Sequence, residues 1–199
     1  MKKLLFIATG GTIASGDSGS GLSPEASAEE LLSGVNLPDA EIHAIQPFAL
    51  DSTDLTPQHW MEVAVLIRDR WQDFDGFVIT HGTDTMEETA YFLNLTVKCK
   101  KPVVLVGAML PSTGLGADGP RNLYNAVLTA ATKETAKQGV VVAMNNIVVG
   151  ARDLMKSNTV QPETFVAANF GKVGTIFNNK VTYESTSLRP HTYQTPFDV

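Results

Sequence analysis

Four short apolar runs punctuate the chain: Leu4–Ala8, Phe77–Thr80, Val103–Val106 and Val140–Met144. None alternates with polar residues. Burial on both faces removes that alternation, so each run is expected as a strand inside a parallel sheet. Helical spacing fills most of the intervals. From Thr56-Pro57, a cap followed by a first-turn proline, the residues Trp60, Val63, Ala64, Ile67 and Trp71 fall on one stripe of an amphipathic helix. A second helix is expected from Thr85, with Thr85-x-x-Glu88 as a capping box and Met86, Ala90, Leu93 and Val97 down one side. A third begins at Asp118-Gly119-Pro120 and carries Leu123, Ala126, Val127, Ala130 and Ala131 at helical spacing. Strand and helix alternate, which predicts an α/β fold: a three-layer α/β/α domain around a mostly parallel, mixed sheet.

After Val149 the chain becomes richer in Asn, Thr and Gly, and Ile176 to Val181 reads as a C-terminal hairpin turning at Asn178-Asn179. The tail from Arg189 to Val199 has two prolines and no period, and reads as the start of a linker leaving the domain. No repeat, charge run or low-complexity segment divides residues 1–199, which are taken as one domain.

Composition narrows the function classes. With 199 residues, 43% of them hydrophobic, the chain is long enough to bury about 70% of its unfolded surface. Fifteen Lys and Arg against 21 Asp and Glu give a net charge of −6, so nucleic acid and anionic membrane are not expected as partners. Cys99 is the only cysteine, which excludes an internal disulfide and thiolate metal cages and fits a reducing, cytoplasmic setting. Met1-Lys2-Lys3 followed by Leu4–Ala8 imitates a signal peptide. The apolar run breaks too early, at Gly10-Gly11, and is expected as a buried first strand.

Ligands of open α/β sheets gather at the carboxyl ends of strands, and three loops carry chemistry there. In Thr9-Gly10-Gly11-Thr12 the glycines allow close backbone approach and Thr12 offers a hydroxyl; a tight turn or a weak phosphate cradle is the alternative. In His81-Gly82-Thr83-Asp84-Thr85 the polar residues suit a helix N-terminus, and His81 suits a hydrogen-bonded structural role or a base. Catalytic use there requires a third group to take the proton, for which Lys156 is the candidate. The third loop, Asp51-Ser52-Thr53-Asp54, is either a grip for an amino acid's carboxylate and ammonium or a capping turn. No His, Asp or Glu spacing suggests a metal.

Taken together, Ile7-Ala8-Thr9-Gly10-Gly11-Thr12-Ile13-Ala14 and Ile79-Thr80-His81-Gly82-Thr83-Asp84-Thr85-Met86-Glu87-Glu88-Thr89-Ala90 resemble the two signatures of the bacterial-type L-asparaginase family. Pro102 to Met109, Asp118 to Leu123 and Ala151-Arg152-Asp153 with Lys156 extend the likeness over nearly the whole chain. The resemblance implies an amidohydrolase, an L-asparaginase that converts asparagine to aspartate and ammonia without a cofactor. It implies Thr12 as nucleophile and Thr83, Asp84 and Lys156 as a second catalytic cluster. Ser52 would meet the substrate carboxylate and Asp84 its amine, with Asp51, Thr53, Gly82, Thr83 and Ala108 at neighbouring pocket positions.

It further implies a small-molecule substrate, L-asparagine or L-glutamine, and a homo-oligomer in which a smaller C-terminal domain completes a neighbouring active site. Against that pattern, the chain of residues 1–199 is expected to stop at the linker, without the smaller domain. Where the family's lid carries Gly-Tyr, this chain has Gly21-Leu22, within an Asp17–Gly21 stretch read as a mobile lid. Two other readings are a non-catalytic amino-acid-binding or assembly module, favoured by that missing tyrosine, and an ammonia-supplying subunit of a tRNA-dependent amidotransferase.

Overall fold

The computed structural model describes residues 1–17, 22–24, 26–35, 37 and 39–199. Strand β1 (Lys2–Ala8) is followed by the small antiparallel pair β2 (Ser15–Asp17) and β3 (Leu22–Pro24), then α1 (Ala28–Leu32) and β4 (Ala40–Ile45). Next come α2 (Pro57–Arg70), β5 (Gly76–Thr80), α3 (Met86–Thr96), β6 (Val103–Val106), α4 (Gly119–Ala131) and β7 (Val140–Met144). Five shorter strands end the succession: β8 (Ile147–Gly150), β9 (Leu154–Lys156), β10 (Phe165–Ala167), β11 (Gly174–Phe177) and β12 (Lys180–Tyr183).

The main sheet runs β12-β11-β8-β7-β6-β5-β1-β4, parallel from β4 to β7 and antiparallel beyond. This is the mixed α/β fold expected. The whole of β5, β6 and β7 is buried, on alternating sides, as a sheet between two layers of helices requires. Val63, Ala64 and Ile67 of α2, then Met86, Ala90 and Leu93 of α3, and Leu123, Ala126, Val127 and Ala130 of α4 form the helical side of that core. Among the described residues no helix is long and apolar enough to cross a membrane.

One local expectation needs correction. The Thr85 capping box does not form: the Thr85 hydroxyl donates to the Ser52 carbonyl at 2.7 Å instead, because a neighbouring loop offers it a buried acceptor. At α2 the box does form, closed by His59 rather than an acidic residue. The tail, read as a linker, lies against α3: His191, Thr192 and Thr195 are buried, the Thr195 hydroxyl donates to the Leu95 carbonyl, and Lys98 Nζ donates to the Thr195 carbonyl at 2.6 Å. Local polarity gave no sign of those distant partners. The Asn178-Asn179 hairpin is as expected, with both residues left-handed at φ 47° and 57°.

Strand order sets the position of the loops. From β1 the chain moves outward to β4, then crosses back to β5 on the other side of β1 and continues to β6 and β7. The direction of winding therefore reverses between β1 and β5, which opens a crevice at their carboxyl ends. Register levels the exits, since Ala8 pairs with Thr80 and Thr80 with Val106. Gly10 and Gly11 leave β1 with φ of 112° and 83°. A Cβ on Gly11 would stand 2.3 Å from the Gly82 nitrogen, and one on Gly10 would stand 2.4 Å from the Leu50 carbonyl oxygen. Three loops are thus pressed together through backbone alone. Gly11→Ala is expected to lower unfolding free energy by at least ~2 kcal/mol in urea titrations, combining left-handed strain with overlap. Gly34→Ala, where an added Cβ meets nothing within 4 Å, is expected to change it little.

Candidate active site

Polar groups at the crevice are held by one another before any ligand is considered. Ser52 opens a single 3-10 turn, Ser52–Asp54, and is buried; its hydroxyl oxygen accepts the Asp84 N–H at 3.2 Å. Its backbone carbonyl takes the Thr85 hydroxyl. A Cβ on Gly82 would meet the Ser52 side chain at 2.7 Å, so this loop too is packed through a glycine. Beyond β8 the chain returns as β9, paired with β10 through Lys156 opposite Phe165. The backbone N–H of Lys156 donates to Glu87 at 2.7 Å, which fixes the end of β9 against the first turn of α3.

From there Lys156 Nζ reaches Thr83 Oγ1 at 2.9 Å and Asp84 Oδ1 at 2.6 Å. The lysine side chain is only 13% exposed, against 64% for Asp84. A cation withdrawn from water between a hydroxyl and a carboxylate has a defined task. Protonated, it donates to the Thr83 oxygen; deprotonated, it accepts that hydroxyl's proton along the same line. Thr12, half-buried, heads the 3-10 turn Thr12–Ala14 directly after Gly11, so it follows the Gly11–Gly82 contact.

The structure therefore brings together Thr83, Asp84, Lys156, Ser52 and Gly82, with Thr12 one residue beyond the glycine contact. Ala108 lies near the first turn of α4, where a Cβ on Gly119 would meet its Cβ at 3.5 Å and Ile13 at 3.3 Å. Asp51 and Thr53 are exposed and make no side-chain hydrogen bond among the described residues. Of the expected lid, Asp17–Gly21, Asp17 ends β2 and residues 18–21 lie outside the described residues, as does the Leu22 side chain; the backbone of Leu22 pairs with Asp17 across β2 and β3.

The supporting role of two carboxylates escaped sequence reasoning. Asp118, the N-cap of α4 as expected, also accepts the Met109 and Leu110 amides and the Asn122 side chain, which stiffens the loop that carries Ala108. Glu87, in the first turn of α3, accepts the Lys156 backbone N–H. His81, the other candidate base, is fully buried with Nδ1 donating to the Gly82 carbonyl at 2.6 Å, and its Nε2 has no partner among the described residues. Burial lowers its pKa from 6.5 to about 4. It supports the loop as a neutral ring.

Glycine-linked loops at the winding reversal thus carry a hydroxyl–lysine–carboxylate cluster at the carboxyl end of a mixed α/β sheet. The chain belongs to the asparaginase family: residues 3–189 match its N-terminal domain. L-asparaginase 2 of Escherichia coli K12 is 49% identical over 205 residues, covering 100% of this chain and 59% of that protein. The probable periplasmic L-asparaginase of Haemophilus influenzae Rd is 49% identical over 211 residues, with the same coverages. A crystal structure of a probable cytoplasmic L-asparaginase from Campylobacter jejuni superposes with a TM-score of 0.91 at 41% identity, covering 100% of this chain and 62% of that one. The chain thus spans about three fifths of the length of these relatives.

The buried imidazole generates a pH prediction. An unfolded chain binds this proton near pH 6.5, whereas the folded one binds it only near pH 4. Stability is therefore full above 6.5 and falls as pH drops toward 4, by on the order of 3 kcal/mol from this group. His81→Asn, which keeps a donor for the Gly82 carbonyl without a titrating ring, is expected to lose that acid slope in urea melts at pH 4.5 and 7.

Proposed function

We propose that the protein hydrolyses the side-chain amide of L-asparagine to L-aspartate and ammonia. The carrying observation is the Lys156 Nζ bridge to Thr83 and Asp84 beside a loop that ends in Thr12. In this reading the Thr12 hydroxyl attacks the amide carbon, and donors at the crevice stabilise the oxyanion. The amide nitrogen takes up a proton and leaves as ammonia. Water then cleaves the acyl ester and restores Thr12. Thr83 and Lys156 pass the proton, and Asp84 holds Lys156 in line while also facing the substrate ammonium. Ser52 meets the substrate carboxylate, with Asp51, Thr53, Gly82 and Ala108 around it. No step calls for a cofactor.

The identities of 49% with two proteins named as L-asparaginases support the reading. Homo-oligomeric assembly and cytoplasmic residence belong to the same proposal. The single cysteine, buried and free, supports the latter.

Ammonia release from asparagine, with glutamine beside it, is the test. Thr12→Ala is expected to lower turnover by about a thousandfold or more with the fold intact. Lys156→Met and Thr83→Val are each expected to be similarly severe, and their double variant little worse, because groups that act as one unit are not additive. If those variants lose only stability, with turnover per folded molecule unchanged, the cluster merely caps α3 and the proposal fails.

A further inference from the structure

A second concavity, of about 350 Å³, lies apart from the crevice. Thr85 and Asn94, at opposite ends of α3, are separated by about 13 Å along the helix. The first belongs to the crevice and the second lines this cavity. Gln138 also lines it, 4% exposed, with its amide oriented by Nε2 donating to the Ser185 carbonyl at 3.1 Å. Its Oε1 is buried without a partner among the described residues. A buried acceptor left unpaired costs about 1–3 kcal/mol, which calls for a donor that the described residues do not supply.

The other walls complete a pattern. Asn94 Oδ1 accepts the Val140 N–H at 3.0 Å, leaving its Nδ2 without a partner among the described residues. Arg152, at the β8–β9 turn, is exposed and meets no carboxylate among the described residues. Val173 gives an apolar surface, and the strongly exposed Phe170 and Leu188 flank the opening. The lining thus holds two guanidiniums, Arg152 and Arg189, one carboxylate, Asp153, the amides of Asn94 and Gln138 and an apolar wall, a set that matches a zwitterion with an apolar substituent.

We propose that this cavity binds a small α-amino acid with an apolar side chain, its carboxylate toward Arg152 and Asn94 and its ammonium toward Asp153 and the Gln138 amide. The site is independent of the amide hydrolysis proposed above. Occupancy would brace a connected ribbon: the Asp153 carboxylate accepts the Asn169 and Phe170 amides at 2.9 and 2.6 Å, and that loop continues from β10, the partner of the strand bearing Lys156.

L-Phenylalanine titrated into the 15N-labelled chain and followed by NMR is expected to give saturable shifts centred on the amides of Gly150, Arg152, Phe170, Val173 and Ser185. 3-Phenylpropionate, which lacks the ammonium, is expected to bind about tenfold more weakly, and Arg152→Gln to weaken phenylalanine by about tenfold with an otherwise unchanged spectrum. Shifts confined to Ser52, Gly82 and Asp84, no saturation, or equal affinity in Arg152→Gln would each overturn the proposal.

Discussion

Gly11 lies so close to Gly82 that no other residue fits without moving one of two loops, and the arrangement of the crevice depends on that contact. A parallel sheet delivers the ends of β1 and β5 side by side, but strand spacing alone leaves their loops free to diverge. Removing two side chains lets backbone touch backbone. Ser52 then fills the space against Gly82, and Thr85 closes on Ser52 from the far side. Ser52, Thr83, Asp84 and Thr85 are each held by a neighbour from a different loop, so the orientation of Thr83 and Asp84 follows from the sheet rather than from local turn chemistry.

Lys156 enters this frame from a different part of the topology. Its strand lies outside the main sheet, in a ribbon inserted between β8 and β11. Glu87 anchors it by a backbone bond, leaving the side chain free to span from a sheltered stem to an exposed carboxylate. The ion pair with Asp84 is half in water and contributes little to stability on its own. Its use is positional: it directs the Nζ to the Thr83 oxygen.

Much of the fold was legible because burial on both faces leaves a plain mark. Val103–Val106 and Val140–Met144 coincide with β6 and β7 to the residue. Strand β4 escaped because it lies at the sheet edge, where Glu41 and His43 are mixed among apolar residues. The β7–β8 hairpin also went unread, although Asn145-Asn146, at φ 49° and 61°, repeats the signal used correctly at Asn178-Asn179. At the crevice, residue types suggested chemistry and the family likeness suggested roles. The partners of Thr85 and Glu87 lie 33 and 69 residues away in sequence, which local patterning does not encode.

The place of β1 between β4 and β5 has a consequence for biosynthesis. A ribosome releases Leu4–Ala8 long before β5 exists to pair with it, since the partners of Leu4 and Ala8 on that side are Gly76 and Thr80. Until then a five-residue apolar segment with strong β character travels with one edge open, a state that invites intermolecular pairing. Lys2 and Lys3 stand immediately before it and act as gatekeepers, their charge opposing self-association of nascent chains. In the finished fold the same two residues are redeployed, Lys2 toward Asp75 and Lys3 over the Phe74 ring.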